Sequence, residues 1–581
     1  MPGMFCAGAS AEVKHAPRAE APAARANTHP ANDGYVGSAA CSRCHVEIYK
    51  HFEQTSMGRS TAQVTPGFLH ELSATAPLSG SIYDQKLDRH FEVHAENDKL
   101  YQSEYQLDAN GHEVFRDTHA IEWIVGTDLN GQSALIKRGD SIFEAPLSYF
   151  KKTGAWELSP GYQRGDYGFS RVIAPGCIFC HTGRPQPVAG SESKYGNPPF
   201  TQLAIGCENC HGPGAAHVDA MGDGASYDAG KDPTIVNPAN LKPALANDLC
   251  MGCHQTGDTR VFQPGKTYQD YRPGTPLARV MAILMVPPTR DNPPREDHVE
   301  HYYSMILSKC YRRSANNAAG KQLRCITCHD PHIEPTEAEA PAFFNGKCMS
   351  CHTAQSCKTS VAARRQANDN CIGCHMQKRE GVAIAHTSIT NHRIVARPDE
   401  PFPDAAFQMT STALPDLIYL NGESKDSMPP ALTLLEAYRQ LKDQSPAYAA
   451  SYARTLSELE KSEPENAIVQ AALGHQALAA NQWDVAGEHL QESLKLNPAQ
   501  SAVYADLSAV AEQRGDAAEA VTMQQKAVIL DPYNASLQKA LVLRLIDAKK
   551  YPEAQAAMET YLRNFPEDDF MRKMLAIAKE P

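Results

Sequence analysis

Between Cys325 and His375 the chain reads CITCHDPH at 325–332, CMSCH at 348–352 and CIGCHM at 371–376. These are three Cys-x-x-Cys-His motifs within 51 residues. Two cysteines three apart lie on one face of a helical turn, where both thiols can reach the vinyl groups of one porphyrin. The histidine that follows falls beneath the ring and offers iron a proximal ligand. Four more copies stand at Cys41–His45, Cys177–His181, Cys207–His211 and Cys250–His254, making seven. Random placement of 17 Cys and 23 His in 581 residues gives about 0.02 such motifs. Zinc ribbons pair CxxC units but have no use for a His after each pair. Cysteines three apart also suit a disulfide framework poorly.

The motifs therefore imply seven covalent c-type haems. Attachment falls to Cys41, Cys44, Cys177, Cys180, Cys207, Cys210, Cys250, Cys253, Cys325, Cys328, Cys348, Cys351, Cys371 and Cys374. The proximal iron ligands are then His45, His181, His211, His254, His329, His352 and His375. Haem attachment of this kind is carried out beyond the cytoplasm in bacteria, so the expected location is periplasmic or extracellular. A formal charge of −12, made more acidic by haem propionates, argues against a nucleic-acid partner. It favours a neutral or basic redox protein, steered by charge. No run is long enough to cross a membrane; the most apolar, Val280–Val286, falls far short of about 20 residues.

Residues 1–33 read as a leader remnant and a disordered tether. Ala9-Ser10-Ala11 resembles a cleavage site, and Cys6 is a weaker lipoprotein candidate. The haem-bearing part spans 34–400. Within it, 81–150 alternates apolar and polar residues between Asn110-Gly111, Asn130-Gly131 and Gly139-Asp140 turns. That pattern predicts a small antiparallel β subdomain between the first and second motifs. The Pro/Gly-rich passages 185–214 and 261–294 read as loops, and 401–430 as a Pro-rich extended linker.

Pro430, Pro464, Pro498, Pro532 and Pro566 are each 34 residues apart. Ala486, Ala520 and Ala554 keep the same phase, as do Leu473-Gly474, Leu507-Ser508 and Leu541-Val542. This is the tetratricopeptide period, two antiparallel helices per unit, and 431–581 should form an all-α solenoid that docks a protein partner. The expected fold is α+β, mostly α and irregular: a multihaem cytochrome domain with a small antiparallel β subdomain, then the solenoid.

Whether each iron has a ligand on both faces decides function. His332 lies three residues past His329 and His217 six past His211, too close to cross to the far face of the same iron. Each more easily serves a neighbouring haem, which demands close packing.

The segments YVGSAACSRCH, CENCHGPGAAH, HYYSMILSKC with CITCHDPH, and CIGCHM followed by HTSITNHR are similar to one family. The chain resembles multihaem cytochromes related to the tetrahaem electron carrier of hydroxylamine oxidation, in the branch fused to tetratricopeptide repeats. The resemblance implies distal ligands at His119, His217, His301, His332, His386 and His392, with His298 as an alternative to His301. Members of the group commonly carry a histidine where this chain has Met57, which makes Met57 a seventh candidate and its haem the one of higher potential. Cys310 and Cys357 are left over. A disulfide is the default in an oxidising compartment. The alternative is a reductive site, with Cys310 among Tyr302, Tyr303 and Tyr311 beside an open haem.

The favoured function is electron transfer, with no catalytic residue assigned. Partner redox proteins would be docked by the repeats, and haem-to-haem contact with other cytochromes is a further expectation. The alternative is a multihaem oxidoreductase acting on a nitrogen or sulfur compound at one five-coordinate haem. Absence of a CxxCK variant, the hallmark of one family of haem nitrite reductases, weighs against it.

Overall fold

Period-two alternation folds the segment after the first motif into β structure, because successive side chains of a strand point to opposite faces. Strands β1 (Thr61–Gln63), β2 (Gly80–Asp84), β3 (Arg89–Glu96), β4 (Lys99–Leu107) and β5 (Glu113–Ala120) come first. They are followed by β6 (Trp123–Thr127), β7 (Gly131–Arg138), β8 (Ser141–Phe150), β9 (Ala155–Leu158) and β10 (Arg171–Val172). They make a four-stranded antiparallel sheet, β2-β3-β4-β5, and a second sheet, β1-β6-β7-β8-β10, with β9 also on β8. In β3 only Phe91 and Val93 are buried, the alternation expected of a sheet with one wet face. In β8 all ten residues are buried. Phe91, Leu100, Ile136, Phe143 and Trp156 fill the core between the sheets. The β3–β4 turn uses Asn97 and Asp98, both at positive φ, a two-residue hairpin signal that composition alone did not flag.

The structure is a computed structural model. It describes residues 34–579 except 128, 163–167, 190, 192, 229, 255–256, 297–299, 316–321, 382–387, 408–415 and 425–426. The leader reading, Cys6, His298 and His386 lie outside the described residues. Among the described residues no helix is long and apolar enough to cross a membrane.

The passages expected as loops contain strands. Arg184–Pro187 (β11) and Tyr195–Gln202 (β12) pair as an irregular hairpin. Thr259–Phe262 (β13) and Met281–Met285 (β14) pair in the second passage. Every residue of β14 is buried, so its continuous apolar run is that of a strand covered on both faces. Lys378–Glu380 (β15) and Ser388–Thr390 (β16) form a short hairpin. The linker expectation also changes: Ile418–Tyr419 (β17) adds to the edge of β14, with Leu417 and Ile418 buried.

The C-terminal region is helical. Helices begin at Ala467, Ser501, Ala535 and Asp569, a spacing of 34, each of the first three followed by an antiparallel partner. Small residues mark the crossings. Ala486, Ala520 and Ala554 are buried, and a Cβ on Gly474 would meet Leu490 at 2.7 Å.

Both ends of this helical array are packed against the rest of the chain. At its start Ala437, Tyr438, Leu441 and Tyr448 share a core with Val261, Ala282, Leu284 and Leu417. Thr433 donates to Gln263 at 2.8 Å across the same joint. At its far end Arg138 of β7 donates to the Asn564 carbonyl at 2.9 Å. Arg89 reaches the Glu567 carbonyl, and Tyr533 packs edge-on against Phe143 at 5.4 Å.

Candidate cofactor site: histidines in opposed pairs

Six of the seven motifs lie on or against a short helical turn that closes on itself. The amide of His45 donates to the Cys41 carbonyl at 3.0 Å, His254 to Cys250 at 2.7 Å, His329 to Cys325 at 3.0 Å and His352 to Cys348 at 3.0 Å. Cys207–His211 and Cys371–His375 are helical turns throughout. The second motif is looser, His181 N–H reaching the Ile178 carbonyl at 2.9 Å. Such a turn puts both thiols on one side and the imidazole just beyond, as attachment requires.

Across from four motif histidines stands a second histidine. The ring centroids of His45 and His217 are 6.3 Å apart, of His211 and His332 6.1 Å, of His254 and His301 6.1 Å, and of His329 and His392 6.2 Å. The rings of each pair are inclined by 21° to 32°. A metal–nitrogen bond of about 2.0 Å and a ring radius of about 1.1 Å put two axial imidazoles about 6.2 Å apart. The spacing therefore fits one iron between each pair. Packed aromatic rings span about 4.5–7 Å, so it is the recurrence of this spacing opposite four motif histidines that points to iron. Among the described residues no cluster of three or more His, Cys, Asp or Glu makes a protein-only metal cage. Two axial ligands per site are what a porphyrin leaves the protein to supply.

Burial sets the protonation these rings need. It is the largest influence on His301, pushed down to about 3, and on His392, pushed down to about 4; neighbouring histidines lower both further. His45, His211, His254 and His329 are lowered by burial as well. Neutral imidazole is the metal-binding form. The free ring nitrogens are anchored: His211 Nδ1 lies 2.8 Å from the Val236 carbonyl, His375 Nδ1 2.6 Å from Val395 and His392 Nδ1 2.9 Å from Thr390. With Nδ1 protonated and donating, Nε2 is left for a metal.

The pairs cluster in twos. His301 and His392, opposite different motif histidines, touch at 4.2 Å. His45 and His211 feel each other and both His217 and His332. Thiols of different motifs also meet, Cys41 hydrogen-bonding with Cys207, Cys180 with Cys253 and Cys250 with Cys325. Cys210 is felt at Cys250, Cys348 at Cys328, and Cys371 at Cys348. In space the motifs thus run first, third, fourth, fifth, sixth, seventh, with the second beside the fourth.

Two expectations from sequence change. His119 is not brought to a motif histidine: its Nε2 sits 2.8 Å from Asp117 and 2.9 Å from Arg138, and its ring packs on Phe169 at 4.5 Å. It stands on β5, where strand geometry commits it to the joint with the C-terminal helices. Met57 is assigned to no particular iron by the sequence; His217 stands opposite His45, which leaves Met57 for another site. The amide and hydroxyl of neighbouring Ser56 grip Glu334, just past His332. Cys310 and Cys357 are free thiols. Cys310 is felt at Cys328 and Cys348, whereas Cys357 is felt at Cys371, so they lie against different motifs. Of the three phenols named with Cys310, Tyr302 hydrogen-bonds with Tyr311, while Tyr303 is buried against Ala406. Among the described residues His181, His352 and His375 have no histidine ring opposed to them.

Asp248, just before the fourth motif, carries a pH prediction. It is buried, accepts the Leu277 amide at 3.0 Å, and is pushed up to about 6 chiefly by burial. Raised above its unfolded value of 3.8, the folded carboxyl holds its proton longer, so stability falls as pH rises from about 4 to 6. Asp248→Asn should remove that cost. Its melting point should exceed that of the parent at pH 7–8, by up to about 3 kcal/mol of stability, and match it near pH 4. Thermal melts across that range check both ends.

No protein-family profile matches the chain. It is 23% identical over 195 residues to the multiheme cytochrome MtrA of Shewanella baltica strain OS185, covering 31% of this chain and 52% of that protein. The chain thus spans about half the length of the curated relative it matches. Solved structures similar to part of the chain include the MamA protein, at 18% identity and a TM-score of 0.22 over 25% of this chain and 80% of that one. The Arabidopsis OM64 TPR domain matches at 21% identity and a TM-score of 0.18, over 19% of this chain and 93% of that one.

Proposed function

We propose that the chain is an exported electron-transfer protein holding seven c-type haems covalently, one at each motif, with the C-terminal helical repeats docking a partner protein. The observation that carries this reading is the set of four opposed histidine pairs at 6.1–6.3 Å. A bound haem would supply reversible one-electron chemistry, and the opposed histidines would hold its iron and keep substrate from it. The chain's own part is to hold the rings neutral and oriented through buried surroundings and carbonyl anchors. It also sets the sites side by side, as the His301–His392 contact does for the fourth and fifth. His386 and Met57 are the proposed second ligands for two of the three irons at His181, His352 and His375, and the third has no second ligand assigned. The weak likeness to a multihaem cytochrome supports the haem, and attachment of c-type haem beyond the cytoplasm supports the exported location. Exposed Ile529, Tyr551, Phe570 and Ile577 on the last helices offer a partner apolar surface.

Pyridine haemochrome analysis of the purified holoprotein should return about seven haems per chain. Low-temperature EPR of the oxidised protein should then show low-spin iron at the four opposed pairs that ignores added nitrite or nitric oxide. A chain without covalent haem would overturn the proposal. Catalytic turnover of nitrite or another small nitrogen or sulfur compound at the iron without a second ligand would replace it with the oxidoreductase reading.

A further inference from the structure

One loop, 232–236, anchors two of the opposed histidines in different ways. The Val236 carbonyl accepts from His211 Nδ1 at 2.8 Å, a neutral acceptor. Asp232 sits instead against His217, its Oδ2 2.6 Å from Nδ1. The other oxygen of Asp232 is held by both the amide and the hydroxyl of Thr234, the amide at 2.8 Å. The carboxylate is thereby pinned in one orientation, and both side chains are mostly buried, 22% exposed for His217 and 16% for Asp232. His375 and His392 rest, like His211, on neutral carbonyls. His332 has a carboxylate nearby, but Asp330 stands farther off at 3.4 Å.

A carboxylate accepting the Nδ1 proton pushes electron density onto the imidazole and makes Nε2 the stronger donor, which favours ferric over ferrous iron. A neutral carbonyl does this less. We propose that Asp232 is a positioning and tuning residue that lowers the potential of the haem held by His45 and His217. That haem is then a better reductant than it would be on a neutral anchor, which biases electrons from the first site toward the adjoining third. This rests on the proposal that iron lies between His45 and His217.

The test is an EPR-monitored redox titration of the full holoprotein and two variants. His217→Ala identifies the signal: the low-spin iron it abolishes is the one to follow. Asp232→Asn keeps an oxygen for the Nδ1 proton and removes the charge. It is expected to retain that low-spin signal and raise its midpoint, so that the reduced-to-oxidised ratio at fixed potential rises about tenfold, about 59 mV for one electron. A merely structural role for Asp232 would weaken the low-spin signal and leave the midpoint in place. An unchanged midpoint with the signal intact overturns the tuning role while the axial reading stands. If His217→Ala leaves every low-spin signal intact, the axial reading itself falls. Thr234→Val gives an independent check, since losing one donor to the carboxylate should shift the midpoint the opposite way, downward; no shift or an upward one counts against the proposal.

Discussion

His301→Ala should convert about one low-spin haem in the oxidised protein to a high-spin form that binds nitric oxide, leaving haem content unchanged. The reason is geometric. His301 faces His254 at 6.1 Å on one side, the distance of two axial rings about a metal, and on the other touches His392 at 4.2 Å. Its helix, His301–Leu307, is held independently by buried Tyr303, Met305 and Leu307, so removing the imidazole leaves its mounting in place. The cysteines proposed to attach the fourth haem lie on a different helix, Pro243–Met251, and its continuation, so attachment there would not depend on His301. Because His301 and His392 are in contact, the low-spin signal of the haem between His329 and His392 should also shift without losing its low-spin character. His119→Ala is the control. That ring is spent on Asp117, Arg138 and Phe169, so its loss should cost stability and leave every spin state as it was. A spin-state change in the control and none in His301→Ala would reverse the pairing drawn from the structure.

The motifs were legible because each is five contiguous residues, and contiguity is what a sequence displays. Helical repeats were legible for a related reason: a spacing of 34 records each crossing, and Ala486, Ala520 and Ala554 are buried where their phase places them. Partnership across space was not legible. Nothing near His332 in sequence says that it faces His211 rather than another ring, since that is set by how two loops far apart in the chain pack. The error at His119 has the same source. A histidine at the end of a β pattern looks available until strand order places Arg138 of β7 and Asp117 beside it. Asp232 carries no signal at all: it lies 15 residues from His217 in a Pro-containing loop, and only the fold brings its carboxylate to Nδ1. The stretch 401–430 misled through composition. Its prolines imply extension, but Asp404–Phe407 turns helically and the extended backbone at Ile418–Tyr419, beside the free edge of β14, becomes a strand.

Tyr438→Ala is expected to destabilise the whole protein by about 3–5 kcal/mol, the cost of removing a buried aromatic ring and leaving a cavity. Tyr438 is only 3% exposed, stacks beside Tyr448 with ring centroids 6.2 Å apart, and donates to Asp416 at 2.7 Å. It belongs to one core with Val261 of β13 and Leu284 of β14, so its loss is felt on the motif-bearing side as well as in the repeats. β14 in turn packs Ile283 and Met281 against Met251 and Leu277, beside the fourth motif. Unfolding followed through haem absorbance and through far-ultraviolet circular dichroism should therefore move together in the variant, with one lowered transition. Tyr438→Phe keeps the ring and loses only the hydrogen bond, so it should cost nearer 1 kcal/mol. A helical array that merely docked partners would behave differently: Tyr438→Ala would lower the circular dichroism transition and leave the haem transition in place. The same packing sets the outcome of deleting 431–581. Without its first helix pair the chain exposes Val261, Leu284 and Leu417 together, and with its last it loses the clasp on Arg138 and Arg89. The truncated chain should accumulate poorly as loaded cytochrome. Recovery of a truncated protein with full haem content and an unshifted haem transition would show that the repeats are an appendage and the shared core is dispensable.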